Sequence, residues 1–130
     1  MIGLDTNVLV RYLVQDDPKQ SQLASQLMSG FTSADPGYLS LIVLVETIWV
    51  LRRSYKLDPR DISRAILKLS SAEEILVESP EMVRRAARES AGGADFADAL
   101  IVLSGRDSGC EYTATFDQRA AELDGMELLR

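Results

Sequence analysis

Short apolar runs alternating with longer helical patterns predict an α/β fold, in which residues 1–130 form one domain with a mostly parallel central sheet sandwiched by helices. Three observations carry the prediction. The opening run to Leu4, the segment Tyr38–Ser40, Ile75–Val77 and Glu111–Thr115 are too short for helices and read as strands. Asp17-Pro18, Asp58-Pro59 and Ser79-Pro80 each mark the start of a helix between them. A length of 130 residues with 46% hydrophobic content is enough for one hydrophobic core.

In chain order, the first strand runs to Asp5 and is expected to be buried at the centre of the sheet. Asn7 to about Val14 has the spacing of a short helix. The next helix has Asp17 as cap, Pro18 at its first position and Gln20 reaching back, and it stops at Gly30. Asp35-Pro36-Gly37 is a turn into the second strand. Leu41 to Tyr55 is apolar almost all round through Leu51, which predicts a helix buried on every face with Glu46 in its middle. A carboxylate so placed needs a partner. Asp58-Pro59 starts a helix to about Leu69, Ile75–Val77 is the third strand, and Ser79 caps a helix ended by Gly92-Gly93. A further helix follows Asp95, then a strand to Thr115, a short helix near Gln118–Leu123 and an edge strand at Met126–Leu129.

Composition excludes several chemistries. There is no histidine, which removes the Ser-His-Asp and Cys-His mechanisms and nearly every zinc site. Any metal must be hard and bound by oxygen, meaning magnesium, manganese or calcium. The single cysteine, Cys110, cannot form an intrachain disulfide and is expected to be a buried, inert thiol. No apolar run is long enough to span a bilayer, so no membrane partner is expected and a cytoplasmic location is. A net charge of −6 argues against a broadly basic nucleic-acid surface but leaves room for local patches.

Four carboxylates fall in comparable places. Asp5 and Asp117 each end a strand, Asp98 lies in the first turn of a helix, and Glu46 sits within one. Strand ends and the helix starts that follow them gather at one edge of a parallel sheet, so these groups are expected to converge. Asp95, one helical turn before Asp98, is a fifth member or simply the helix cap. Asp5 and Asp117 carry the same capping alternative; Glu46 does not. Converging carboxylates repel unless a cation lies between them, and magnesium or manganese there would support phosphodiester hydrolysis without histidine.

The sequences Leu4-Asp5-Thr6-Asn7, Leu44-Val45-Glu46, Asp95-Phe96-Ala97-Asp98-Ala99-Leu100-Ile101 and Thr115-Phe116-Asp117, in this order across nearly the whole chain, resemble a PIN domain of the VapC toxin type. The resemblance implies a magnesium- or manganese-dependent ribonuclease, neutralised by a VapB-like antitoxin and assembled as a homodimer. It implies Asp5, Glu46, Asp98 and Asp117 as the acidic set, with Asp5 and Asp98 as metal ligands. Asp95, Thr6, Asn7 and Thr115 are accessory. The chain departs from many relatives just after the last aspartate, where Gln118-Arg119-Ala120 stands in place of another acidic or aromatic residue.

RNA would be held through its phosphates, and Arg11, Arg52 and Arg53 are the basic candidates. Two other readings compete. One is a phosphoaspartyl phosphatase or receiver-like domain using Asp5, although the second aspartate two residues on and a lysine after Lys68 are both missing. The other is a non-catalytic module whose acidic pocket receives a basic peptide.

Overall fold

The computed structural model describes residues 1–130. In chain order, β1 (Ile2–Gly3), α1 (Thr6–Val14), α2 (Pro18–Ser29), β2 (Gly37–Leu39), α3 (Leu41–Arg53), α4 (Pro59–Ser71), β3 (Ile75–Val77), α5 (Pro80–Ala91), α6 (Phe96–Asp107) and β4 (Thr113–Thr115) lead to a single 3₁₀ turn (Ala120–Glu122) and β5 (Met126–Leu128). The predicted α/β class is the one found. Every strand pairing is parallel, but the ladders fall into two groups, β1-β2-β3 and β4-β5.

The first strand departs from expectation. β1 is two residues long and lies at the edge of its ladder, with Ile2 half exposed and Leu4 the first buried side chain. The central strand is β2, whose Gly37 pairs with both Ile2 and Ile75. A Cβ at Gly37 would lie 2.5 Å from the Phe31 ring, so the missing side chain is what lets Phe31 cover this strand.

Most helix starts follow their capping residues. The Asp17 carboxylate accepts from the Gln20 backbone N–H at 2.9 Å, with Pro18 at the first helical position. Asp58 accepts from the Arg60 N–H at 2.8 Å, and Ser40 from the Val43 N–H at 3.2 Å. Two details differ. The Gln20 side chain does not reach back to its cap but accepts from Arg11 Nε at 2.8 Å. Ser79 sits in the left-handed region at φ 48° and makes no side-chain cap bond, leaving Pro80 to define the start of α5.

The core is one cluster fed by all six helices, with Leu9, Leu39, Leu44, Leu51, Ile66 and Val83 almost fully enclosed. Within it α4 packs on α5, α5 on α6, and α1 on both α2 and α3. A smaller cluster of Val102, Ala120 and Met126 seats the β4-β5 end against α6. Truncating one of the enclosed leucines to alanine costs about 2–5 kcal/mol.

The expectation for α3 is also corrected. This helix buries one stripe, Leu44, Thr47, Ile48 and Leu51, and exposes Ile42, Glu46 and Trp49 on another. Hydropathy alone cannot distinguish a helix surrounded on all sides from one whose outer apolar face stands in solvent. Glu46 therefore needs no buried partner. Cys110 is likewise exposed, not buried, because it follows the turn that ends α6. No helix is long and apolar enough to cross a membrane.

Candidate active site

A cleft of about 540 Å³ opens where the start of α6, the end of α3 and the loop after β4 meet. Asp95, Asp98, Asp117 and Glu122 bring carboxylates to its lining, and Arg52 and Arg119 bring guanidinium groups. Each aspartate is placed by a local backbone motif. Asp95 caps α6, its Oδ1 accepting from the Asp98 N–H at 3.0 Å. That fixes Asp98 in the first turn and leaves its own carboxylate free for the cleft. Gly93, at φ 113°, supplies the turn that brings the chain from α5 into this start.

Asp117 is held twice. Its backbone N–H donates to Thr115 Oγ1 at 3.0 Å, and its Oδ1 accepts from the Arg119 and Ala120 N–H groups at 2.8 and 3.2 Å. The first bond gives Thr115 a positioning role at the end of β4. The second ties Asp117 to the backbone that leads into the 3₁₀ turn and leaves its other carboxylate oxygen for the cleft. In Asp117 the backbone and site roles are therefore compatible, since Oδ1 serves the backbone while Oδ2 is available for an ion. In Asp95 both oxygens are engaged, Oδ1 by the Asp98 N–H and Oδ2 by Arg52.

The electrostatics mark Asp98 as the focus. Burial holds its carboxyl above the ordinary aspartate range, and the negative charges of Asp95 and Asp117 push the same way. Asp95 is itself partly neutralised, its Oδ2 receiving Arg52 Nη1 at 3.1 Å across the gap between α3 and α6.

The other anticipated residues stand apart from this lining. Asp5 is exposed and caps α1, accepting from the Thr6 N–H at 2.8 Å. Thr6 Oγ1 is buried without a hydrogen-bond partner, and Asn7 is exposed beside a groove between α1 and α2. Glu46 lies on the outer face of α3. Neither Asp5 nor Glu46 lines the cleft around Asp98.

Arg11 has a structural occupation. Its Nε donates to Gln20, and its Nη1 reaches Asp16 at 3.1 Å and the Tyr55 hydroxyl at 3.0 Å. The Tyr55 hydroxyl in turn donates to Asp16 at 2.6 Å. This network ties the α1–α2 connection to the end of α3. The Tyr55 hydroxyl, with Arg11, lowers the Asp16 carboxyl below its usual value, and the Tyr55 and Arg11 values rise in return.

Arg119 and Glu122 were not anticipated as site residues, since the segment after Asp117 carries no motif. Only the folding of the 3₁₀ turn back over α6 brings them to the cleft.

The donor set suits a hard cation. It is composed of carboxylates without histidine or thiolate, and the repulsion it concentrates on Asp98 is what a divalent ion relieves. No three acidic, histidine or cysteine side chains form a ready-made cage.

The PIN domain family model matches residues 2–126, from β1 to the start of β5. The chain belongs to the PIN-domain family. Members of this family are typically metal-dependent nucleases, which sets aside the phosphoaspartyl readings of Asp5. No curated protein matches the chain closely enough to serve as a named relative.

Proposed function

We infer that this PIN domain is a magnesium- or manganese-dependent endoribonuclease, and that it acts as the toxin of a toxin–antitoxin pair. The observation that carries the nuclease reading is the convergence of Asp98 with Asp95 and Asp117 in a cleft that also presents Arg52 and Arg119. Asp98 and Asp117 would hold the cation in this cleft; Asp5 and Glu46 belong to the acidic set through the motif resemblance, from positions outside the lining. When bound, the ion supplies a water of lowered pKa and a counter-charge for the phosphoryl oxygens.

The rest falls to the chain. Arg119 and Arg52 hold the non-bridging phosphate oxygens and offset the carboxylate field that would otherwise repel RNA. Asp95, already hydrogen-bonded through both oxygens, keeps Arg52 and the first turn of α6 in place. Thr115 holds Asp117, and the Thr6 backbone N–H holds one oxygen of Asp5, with Thr6 and Asn7 as accessory residues beside it.

The toxin role rests on the motif resemblance to the VapC type. An exposed groove of about 520 Å³ between α1 and α2, lined by Val8, Leu23 and Leu27 among others, supports a protein partner such as a VapB-like antitoxin. A homodimer is part of the same proposal, supported by exposed Ile101 and Phe116.

Purified, partner-free protein incubated with a labelled RNA mixture in magnesium or in EDTA tests the reading. Cleavage at defined positions, with magnesium only, is expected, together with a magnesium-induced rise in melting temperature. The absence of both cleavage and a melting shift would refute it.

A further inference from the structure

We propose that Trp49 and Arg53 form a stacking platform for an unpaired nucleobase of the RNA, beside the carboxylate cleft and continuous with it. The proposal rests on the nuclease reading for its substrate class. Trp49 is 57% exposed on the outer face of α3, although a tryptophan has more to gain from burial than almost any other side chain. It lines a groove of about 340 Å³ with Val45, Phe96, Arg52 and Arg53. Arg52 and Asp95 line this groove and the carboxylate cleft alike, so a chain lying in one leads into the other.

The charge pattern favours RNA over a protein partner. The molecule carries a net −6, yet two arginines line this groove against the single carboxylate of Asp95, and the Arg53 guanidinium lies 5.2 Å from the indole centroid. That geometry keeps a cation at the ring face in free protein. A nucleobase stacks on the indole or on the guanidinium plane, while the other arginine meets its phosphate. Only an unstacked base can reach the ring, so the platform selects single strands. It is sequence-tolerant, since every base has a π-face.

Trp49 is the only tryptophan, so its emission reports the platform directly. The test adds a single-stranded RNA of about eight nucleotides to Asp98→Asn protein in magnesium, with a duplex of the same strands as comparison. The single strand is expected to quench Trp49 emission, and the duplex to quench it far less. Introducing Trp49→Ala in that background should weaken binding of the labelled single strand by about 5- to 100-fold, with Trp49→Phe retaining most of the affinity. Circular dichroism checks that both variants fold, as expected for an exposed position.

Equal affinity of Trp49→Ala and its parent, or equal quenching by the duplex, would overturn the platform. So would a dimer in light scattering whose assembly shifts Trp49 emission and which RNA does not disturb, because a second copy would then own this face. Failure of the nuclease reading looks different. Wild-type protein that shows the single-strand quenching but no magnesium-dependent cleavage would sink that reading and support the platform, whereas cleavage with an unaffected Trp49→Ala would do the reverse.

Discussion

Replacing Arg52 by alanine separates the structural work of this residue from its work on RNA, because the two differ in size. The Arg52–Asp95 ion pair spans 3.1 Å between side chains that are 41% and 46% exposed. A pair so wet contributes about 0.2–1 kcal/mol. Arg52 also lies in the last turn of α3, where a positive charge adds about 0.3–1 kcal/mol through the helix dipole. The cap of α6 survives the change, since Asp95 Oδ1 still accepts from the Asp98 N–H. The loss of stability should therefore be about 1 kcal/mol, or roughly 3–5 °C in melting temperature for a chain of this size. A charge-assisted hydrogen bond to phosphate is larger, about 1.5–3 kcal/mol, which corresponds to roughly 10- to 100-fold in RNA affinity. Asp95→Asn provides the opposite arm: asparagine keeps the cap, removes a negative charge from the cleft and frees Arg52, so affinity should hold or rise. Thermal melts and anisotropy titrations with non-cleaving protein measure both. A melting temperature lowered by more than about 10 °C, or an unchanged affinity in Arg52→Ala, would refute the placement of Arg52 at the phosphate.

Two pH-dependent effects follow from the charge environment. The raised Asp98 value means that folding favours its protonated form. In EDTA its contribution to stability should fall as pH rises from the ordinary aspartate range, about pH 4, through the raised folded value, and the advantage of Asp98→Asn should grow over the same span; melts across pH that keep the two proteins parallel would contradict this. The lowered Asp16 value has the opposite sign. Its stabilisation is present above the ordinary aspartate value and lost as pH falls through the lowered one, so Tyr55→Phe should be less stable than wild type at neutral pH and approach it in acid, whereas a constant gap would remove Asp16 from the explanation.

How much of this was legible in sequence depended on whether the deciding interaction was local. Asp17-Pro18, Asp58-Pro59 and Asp95 placed their helices because a cap bonds to backbone within three residues. Asp98 and Asp117 were recognised as neighbours because strand ends and helix starts share one edge of a parallel fold. What escaped was tertiary. The edge position of β1 depends on which strand pairs with β2, and the open face of α3 depends on which helices pack against it. Arg119 and Glu122 reach the cleft only through the fold of the 3₁₀ turn. Arg11 reads in sequence as an RNA contact, whereas in the fold its guanidinium is engaged by Asp16, Gln20 and Tyr55.

If Asp98 belongs to a metal-dependent RNA-cleaving centre, it does more than fill the first turn of α6. The most direct measurement is the single-turnover cleavage rate of a labelled RNA by wild type and by Asp98→Asn, at saturating protein across a magnesium titration. Asparagine preserves shape and leaves the Asp95 cap intact, so both proteins should fold and bind RNA. The rate is expected to rise with magnesium in wild type and to fall by roughly 100-fold or more in Asp98→Asn. Equal rates in the two proteins, or a rate indifferent to magnesium, would contradict it.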